Sequence, residues 1–457
     1  MVSTMGDNRR TFAKLSNQLS LPTPWPTARH STAWFAFVAI LGFIFLTLPR
    51  AVGWRGNYLH SEDGQVFLTE FLSSGWSSLT DTYAGYLHGV PRILTAGCAT
   101  IVGPDGYAAC VAMSSNAFRV SLIFLAFPVF AAYTRSWRWG LAAASMAFVF
   151  VPAGQQEVLA NFTNLRWFLL GAAFFAVIGV FQSWQLIGFA SLTAALAALS
   201  DPLPILLAPF AVWRLFTAPR FSKLPSLALI LTSGIHLLAL DIGARGERGG
   251  FIDLVQDPAE TVGQLLVRGP LTTQWGVTIS QDLASSIGYP LALATLFVTG
   301  GLLWLGWSNR WPDDPAVPLT VLLMLLGFGF LLVTLSFPAS YISLADFWSP
   351  SQPARYSALT GLFLTPVLVI AMSRAWQASH HQRFARAWTL LIALVLTIAI
   401  VGDFGGDARS TDGPTWNDSL TAARLECDSG VSFVTIPNAA EFEGWRTTLT
   451  CDWIRVR

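Results

Sequence analysis

Apolar stretches of 12 to 25 residues recur along nearly the whole chain, divided by short polar breaks, beginning with "AWFAFVAILGFIFLTLP" at residues 33–49. Crossing a bilayer as a helix takes about 20 predominantly apolar residues. Runs at 33–49, 109–133, 139–153, 165–181, 186–199, 205–216, 224–242, 288–306, 317–336, 355–373 and 388–402 fit that need or come near it. They predict an all-α polytopic membrane protein with about 11 transmembrane helices. The first run follows a long polar start and has no small-residue cleavage site, so it reads as a permanent span and not as a removable signal peptide.

One further stretch, "HGVPRILTAGCATIVG" at 88–103, is apolar but carries His88, Pro91, Arg92 and three glycines. Charge decides its place, because loops on the cytoplasmic side carry an excess of Lys and Arg. With 88–103 outside the bilayer, Arg9, Arg10, Lys14, Arg29, Arg135, Arg138, Arg214, Arg220, Lys223, Arg310, Arg374, Arg383 and Arg386 all fall on one side. Only Asp7, Asp313 and Asp314 join them there. If 88–103 crossed, nine of those thirteen cations would flip outward. The segment therefore reads as a helix along the outer surface or a shallow re-entrant piece. Three parts follow: a cytoplasmic segment 1–32, a transmembrane domain 33–402 with an external first loop 50–108, and an external C-terminal appendage 403–457. External loops are also expected at 154–164, 243–287 and 337–354.

Composition agrees. The chain has 457 residues, 53% hydrophobic and 12% charged, about half the roughly 25% charge of a soluble domain. A net charge of +1 without a basic stripe gives no footprint for nucleic acid. Lys14 and Lys223 are the only lysines among 27 basic residues, a bias that points to a GC-rich bacterial genome. The four cysteines fall into Cys98/Cys110 and Cys427/Cys451, without the C-x-x-C spacing of a metal site. On an oxidising outer face a Cys427–Cys451 bridge is expected, the alternative being two free thiols in a small fold.

Polar chemistry gathers in three external places. "HSEDGQVFLTEF" (60–71) holds adjacent carboxylates Glu62 and Asp63, and "DTYAGYLHGVPR" (81–92) holds Tyr83, Tyr86, His88 and Arg92. On a helix His88 and Arg92 would be neighbours four apart, able to donate to a phosphate; interfacial anchoring is the plainer account. "GQQEVLANFTNLRW" (154–167) groups Glu157 with Asn161 and Asn164, suited to sugar hydroxyls or simply to a polar loop. "ADFWSPSQPARYSALTG" (345–361) offers Trp348 and Gln352, then Arg355 and Tyr356 at the mouth of a span. Inside the bilayer, Arg119 and His236 are costly, and pairing or function is their default reading. Arg119 is expected to meet an outer-leaflet carboxylate or substrate. Walker, nucleophile-elbow and zincin motifs are absent, which argues against nucleotide-driven or soluble-hydrolase chemistry.

"SEDGQVFLTEFLSSGW" (61–76), "YAGYLHGVPRILTA" (83–96) and the "RY" at 355–356 together resemble the GT-C class of integral-membrane glycosyltransferases. The first is similar to that class's acidic first-loop motif and amphipathic helix. The second resembles its Tyr-Pro-Pro/Gly-Tyr turn and second surface helix. The third is similar to the Arg-Tyr that often opens a late span. The likeness covers the whole layout but rests on short motifs, and adjacent carboxylates depart from DxD or ExD spacing.

The resemblance implies inverting transfer of a sugar from a polyprenyl-phosphate donor to a cell-envelope glycan, lipid or protein acceptor, at the outer face of a bacterial plasma membrane. Asp63 is the expected general base, with Glu62 as the supporting or alternative carboxylate. Arg92, His88, Arg355 and Tyr356 would bind donor phosphate. Tyr83, Tyr86, Glu157, Asn161, Asn164, Trp348 and Gln352 would bind sugar or acceptor. No cofactor or metal is assigned. The competing readings are a transporter or flippase of lipid-linked sugars, a polysaccharide polymerase or ligase using diphosphate donors, and a non-catalytic scaffold. As the plainer account of Glu62 and Asp63, Ser61 caps a helix and the acids favour its positive end.

Overall fold

The computed structural model describes residues 14, 16–26, 30–51, 58–155, 157–240, 258–287, 289–307, 313–336, 354–378, 383–404, 414–438 and 444–456. After α1 (Ser31–Ala51) the chain forms a π-helical turn, Asp63–Leu68, and a short α2 (Thr69–Ser74). A two-residue hairpin, β1 (Thr82–Tyr83) with β2 (Tyr86–Leu87), leads into α3 (Gly89–Ile101). Then come α4 (Gly103–Ser121), α5 (Ile123–Thr134), α6 (Trp137–Phe148), α7 (Leu165–Ile178), α8 (Trp184–Ser200), α9 (Ala208–Thr217) and α10 (Leu224–Leu238). The rest is α11 (Pro258–Leu266), α12 (Thr272–Ile287), α13 (Tyr289–Trp307), α14 (Ala316–Leu335), α15 (Arg355–Ala378), α16 (Arg383–Gly402), α17 (Trp416–Asp428), β3 (Phe433–Pro437), β4 (Arg446–Thr450) and α18 (Cys451–Arg455).

Helix starts follow local chemistry. Prolines stand in the first turn of α4, α9 and α10, where a missing N–H costs nothing. Ser136 and Ser183 cap α6 and α8.

Among the described residues, seven helices are long and apolar enough to cross a membrane: Ser31–Pro49, Gly103–Thr134, Phe221–Leu238, Pro290–Trp307, Ala316–Leu335, Arg355–Gln377 and Arg383–Gly402. Each expected run meets a helix, but those at 139–153, 165–181, 186–199 and 205–216 become helices of 12, 14, 17 and 10 residues. These four fall short of the span length, beside the seven longer helices. α7 ends where Gly179 leaves the helical conformation. Nearly every residue of α7 is buried, whereas α9 buries only Ala211 and Arg214.

At the centre stands α15, its 18-residue apolar core entirely buried. Around it, α1 turns Phe37, Ile40 and Ile44 outward, and α16 turns Leu390, Leu394 and Val401 outward. Contiguous exposed apolar faces of this kind belong against lipid. The protein is an all-α membrane protein.

The stretch at 88–103 becomes α3, half-buried and folded back on α4 by the Cys98–Cys110 disulfide, with Cα atoms 5.8 Å apart. Its outer face carries Ile93 and Ile101, exposed, as a helix lying along a membrane surface would. Within the expected loop 243–287, residues 258–287 are helical and wedged among spans. Gln274 bonds the Thr295 carbonyl and the Thr299 hydroxyl of α13. A Cβ on Gly269 would stand 3.0 Å from Phe328 of α14.

The C-terminal part is no free appendage. The hairpin β3–β4, flanked by α17 and α18 and bridged by Cys427–Cys451, docks on the first loop. Asn438 Nδ2 donates to the Ser61 carbonyl at 2.9 Å, and the Thr448 amide donates to Thr69 Oγ1 at 3.1 Å. Trp416 Nε1 donates to the Pro104 carbonyl and Trp453 Nε1 to that of Ala99. Gly64 makes the close approach possible, because a Cβ there would collide with Thr447 and Asn438.

Candidate active site

Asp63 lies at the start of the π-helical turn with no exposed surface. Its Oδ2 accepts from the Phe162 amide at 2.8 Å; its Oδ1 accepts from the Thr163 amide at 2.9 Å and the Thr163 hydroxyl at 2.6 Å. Burial pushes its pKa up, while nearby His60 and these donors pull it down. A carboxylate enclosed and saturated in this way holds the 157–164 loop against the first loop. Reaching an acceptor hydroxyl would require breaking that clamp, so the expected base is poorly placed for the role. Glu62, which precedes the π-helical turn, makes no side-chain cap hydrogen bond.

Glu62 is the more available acid. Its side chain is 17% exposed, its Oε2 lies 3.6 Å from His60 Nε2, and Arg355 is within its electrostatic reach. Arg355 Nη1 meets Glu157 Oε1 at 2.6 Å and keeps a quarter of its side chain exposed. Glu62, Glu157 and Arg355 thus share one neighbourhood, assembled from the first loop, the loop after α6 and the mouth of α15. Tyr356, next to Arg355, is buried edge-on against Trp167 at 5.8 Å between ring centroids.

The other expected residues divide. Arg92 is 2% exposed and paired at 2.6 Å with Glu70, over the Phe67 ring. His88 precedes α3 and turns back, its ring stacked on Tyr86 at 4.3 Å and its Nδ1 3.2 Å from the Tyr86 carbonyl. These two do not form an exposed pair of phosphate donors, since both are buried. Tyr83 stacks edge-on with Phe67, and the Tyr86 hydroxyl accepts from Arg166, which also lies 3.4 Å from Asp201. Asn161 and Asn164 knit their own loop: both donate to the Glu157 carbonyl, and Asn164 Oδ1 accepts from Trp167 Nε1. Their carboxamides support the loop that carries Glu157. Trp348 and Gln352 lie outside the described residues.

Arg119 meets neither a carboxylate nor an open cavity. It donates to the carbonyls of Phe148, Val149 and Gly154 at 2.5, 3.1 and 2.6 Å, closing the end of α6, and stacks over Phe168. His236 lies beside Tyr86, with ring centroids 6.1 Å apart.

Two residues escaped the reading of the sequence. Asp403, just past α16, is fully buried and accepts from the amides of Ala153, Val277 and Thr278 at 2.8, 2.9 and 2.9 Å. Gly276 permits this with φ 75°, since a Cβ there would stand 2.7 Å from the Asp403 carboxylate. Only its position at a span end marked it. Arg268, fully buried, bonds Gln264 Oε1 at 2.7 Å and lies within electrostatic reach of Glu157, Tyr356 and Arg355; burial lowers its pKa to about 10. A lone arginine in "LLVRGPL" was its signal.

Among the described residues, no group of three His, Cys, Asp or Glu side chains gathers as a metal site. Prominent cavities lie elsewhere, including one of about 340 Å³ beside Trp304, Trp307 and Met324. The chain matches no protein-family model and no curated protein sequence.

Proposed function

We propose that the chain is a glycosyltransferase of the GT-C kind, taking a sugar from a polyprenyl-phosphate donor at the membrane surface. The observation that carries the reading is a partly exposed acid beside a partly exposed arginine: Glu62 within electrostatic reach of the Arg355–Glu157 pair. The acceptor hydroxyl attacks the anomeric carbon from the face opposite the phosphate. Glu62 takes the hydroxyl proton as the new C–O bond forms. The C1–O bond to phosphate breaks with its electron pair, and Arg355 steadies the departing charge. The products are the inverted glycoside and polyprenyl phosphate. Confining the donor lipid to the bilayer pre-orients the two reactants. Asp63 acts at one remove, fixing the loop that carries Glu157 against the loop that carries Glu62.

Transfer from polyprenyl-phosphate sugars, assayed on purified protein in lipid, tests this. Glu62→Gln should lose about 10²-fold or more in turnover with donor binding kept, the usual range for removing a general base. Near-normal turnover by well-folded Glu62→Gln would remove the base from the mechanism.

A second reading has one observation in its favour. Arg268 adds a buried guanidinium near Arg355, as a diphosphate-linked donor of a polysaccharide polymerase or ligase would use. Preferential use of diphosphate over monophosphate donors, abolished in Arg268→Gln, would favour it.

A further inference from the structure

At the end of the bundle opposite Glu62, two cavities adjoin. One, about 760 Å³, is lined by Pro22, Pro24, Arg135, Ser136, Trp137 and Arg138. The other, about 460 Å³, runs between α1 and α6 and is lined by Trp34, Val38, Leu141, Ala142, Met146 and Phe150, with Trp137 and Arg138 shared. The first is a mouth carrying two cations; the second is an apolar groove. From Trp137 to Met146 the groove follows α6 for roughly 13 Å at 1.5 Å per residue. That is close to half of the ~30 Å hydrocarbon core, the depth of one leaflet.

The cations at the mouth differ from their neighbours. Nearby, Arg374 is tied to Asp314 and Lys14 to Asp313, the two carboxylates beside Pro315 at the cavity edge. Arg135 and Arg138 are exposed and, among the described residues, have no carboxylate partner. Arg138 lies over the Trp137 ring at 5.4 Å, and both line the mouth. Arg135 ends α5 at φ 55°, in the left-handed region. Glycine normally fills that position. An arginine there, beside the Ser136-capped start of α6, puts two guanidiniums and a helix N-terminus around one opening. All three favour an anion.

We propose that this mouth and groove bind one anionic glycerophospholipid from the adjoining leaflet, its phosphate held by Arg135 and Arg138 and one acyl chain laid between Trp34 and Met146. The site is independent of the transferase reading. Bound lipid would fasten α1 to α6, and α6 abuts the Pro152–Gly154 turn that Asp403 and Arg119 hold.

The test uses purified full-length protein, delipidated and returned to bicelles of phosphatidylglycerol or of phosphatidylcholine with the same acyl chains. Native mass spectrometry counts retained lipid, and thermal unfolding reads stabilisation. The wild type should retain one phosphatidylglycerol and melt higher in it than in phosphatidylcholine, and inorganic phosphate alone should give no such rise. Arg135→Gln/Arg138→Gln should weaken retention roughly 10- to 30-fold, at about 1 kcal/mol per basic residue near a membrane surface. Ala142→Phe, which fills the groove and leaves both arginines, should also release the lipid. Equal response to both lipids, stabilisation by inorganic phosphate alone, or unchanged retention in both variants would overturn the proposal. If the double variant folds poorly, Ala142→Phe alone decides: retained lipid sinks the site.

Discussion

The central helix α15 carries an arginine at each end, and each meets a carboxylate at 2.6 Å. The resemblance stops there. Arg374 is 2% exposed and enclosed by partners: Nη2 donates to Asp314 Oδ1 and the Tyr133 carbonyl, Nη1 donates to the Thr134 carbonyl and Gln377 Oε1, and Nε lies 2.6 Å from Asp314 Oδ2. Arg355 is a quarter exposed, with Glu157 as its carboxylate. A guanidinium enclosed in this way can only hold helices together. One that keeps exposed surface can also meet an incoming phosphate. The same residue type on the same buried helix is thus structural at one end and available at the other, and saturation makes the difference.

The largest effect should come from breaking the saturated end. Asp314→Ala leaves Arg374 buried beside an empty space, and losing one partner of a buried pair costs about 3–5 kcal/mol. Thermal unfolding in detergent should show it, with α5, α14 and α15 loosened together; a melting curve unchanged from wild type would remove the structural role.

The available end has its own saturated carboxylates, Asp63 and Asp403, each accepting three hydrogen bonds. Asp403→Ala strands three backbone amides, each buried orphan costing about 1–3 kcal/mol before relaxation. A net loss of roughly 3 kcal/mol is expected, with faster proteolysis near Gly276. Asp63→Ala should fall in the same range. If Asp63→Asn instead folds normally and loses turnover as Glu62→Gln does, the clamp account of Asp63 fails.

Opening Cys427–Cys451 should matter slightly less. A loop of 24 residues contributes about 3 kcal/mol when closed, shared here with the docking contacts to the first loop. Cys427→Ser/Cys451→Ser should expose the tail to protease while the long spans still melt as before. A tail equally resistant without the bridge would assign its order to docking alone.

The smallest effect on stability should be at Arg355. Arg355→Ala strands the buried Glu157 but removes a partly exposed partner, so it should cost less stability than Asp314→Ala, yet cost about 1.5–3 kcal/mol in transfer, the worth of a charge-assisted bond, a loss of roughly 10- to 100-fold. Arg355→Lys keeps the charge without the fork and should recover part of it. Equal stability losses at Arg355 and Arg374 would erase the contrast between the ends.

Much of the site's raw material was legible in the chain. The membrane class, a non-spanning stretch at 88–103, both cysteine pairs and the polar clusters at 60–71, 81–92 and 154–167 come from composition, charge sidedness and local pattern. These are properties of neighbouring residues, so a linear reading reaches them. Which carboxylate stays open is different in kind. Asp63 and Glu62 are adjacent and chemically alike, and what separates them is an amide pair a hundred residues away.

The sequence by itself determined that the protein lies in a membrane and that its polar chemistry clusters in the breaks between apolar runs, because hydropathy and residue type are local quantities. Only the tertiary structure decided which of those groups are spent. Asp403 meets Val277 across 126 residues, the tail meets Ser61 across 377, and Arg374 finds Tyr133 across 241. Saturation of a buried polar group depends on such distant partners, and nothing in the local pattern encodes them.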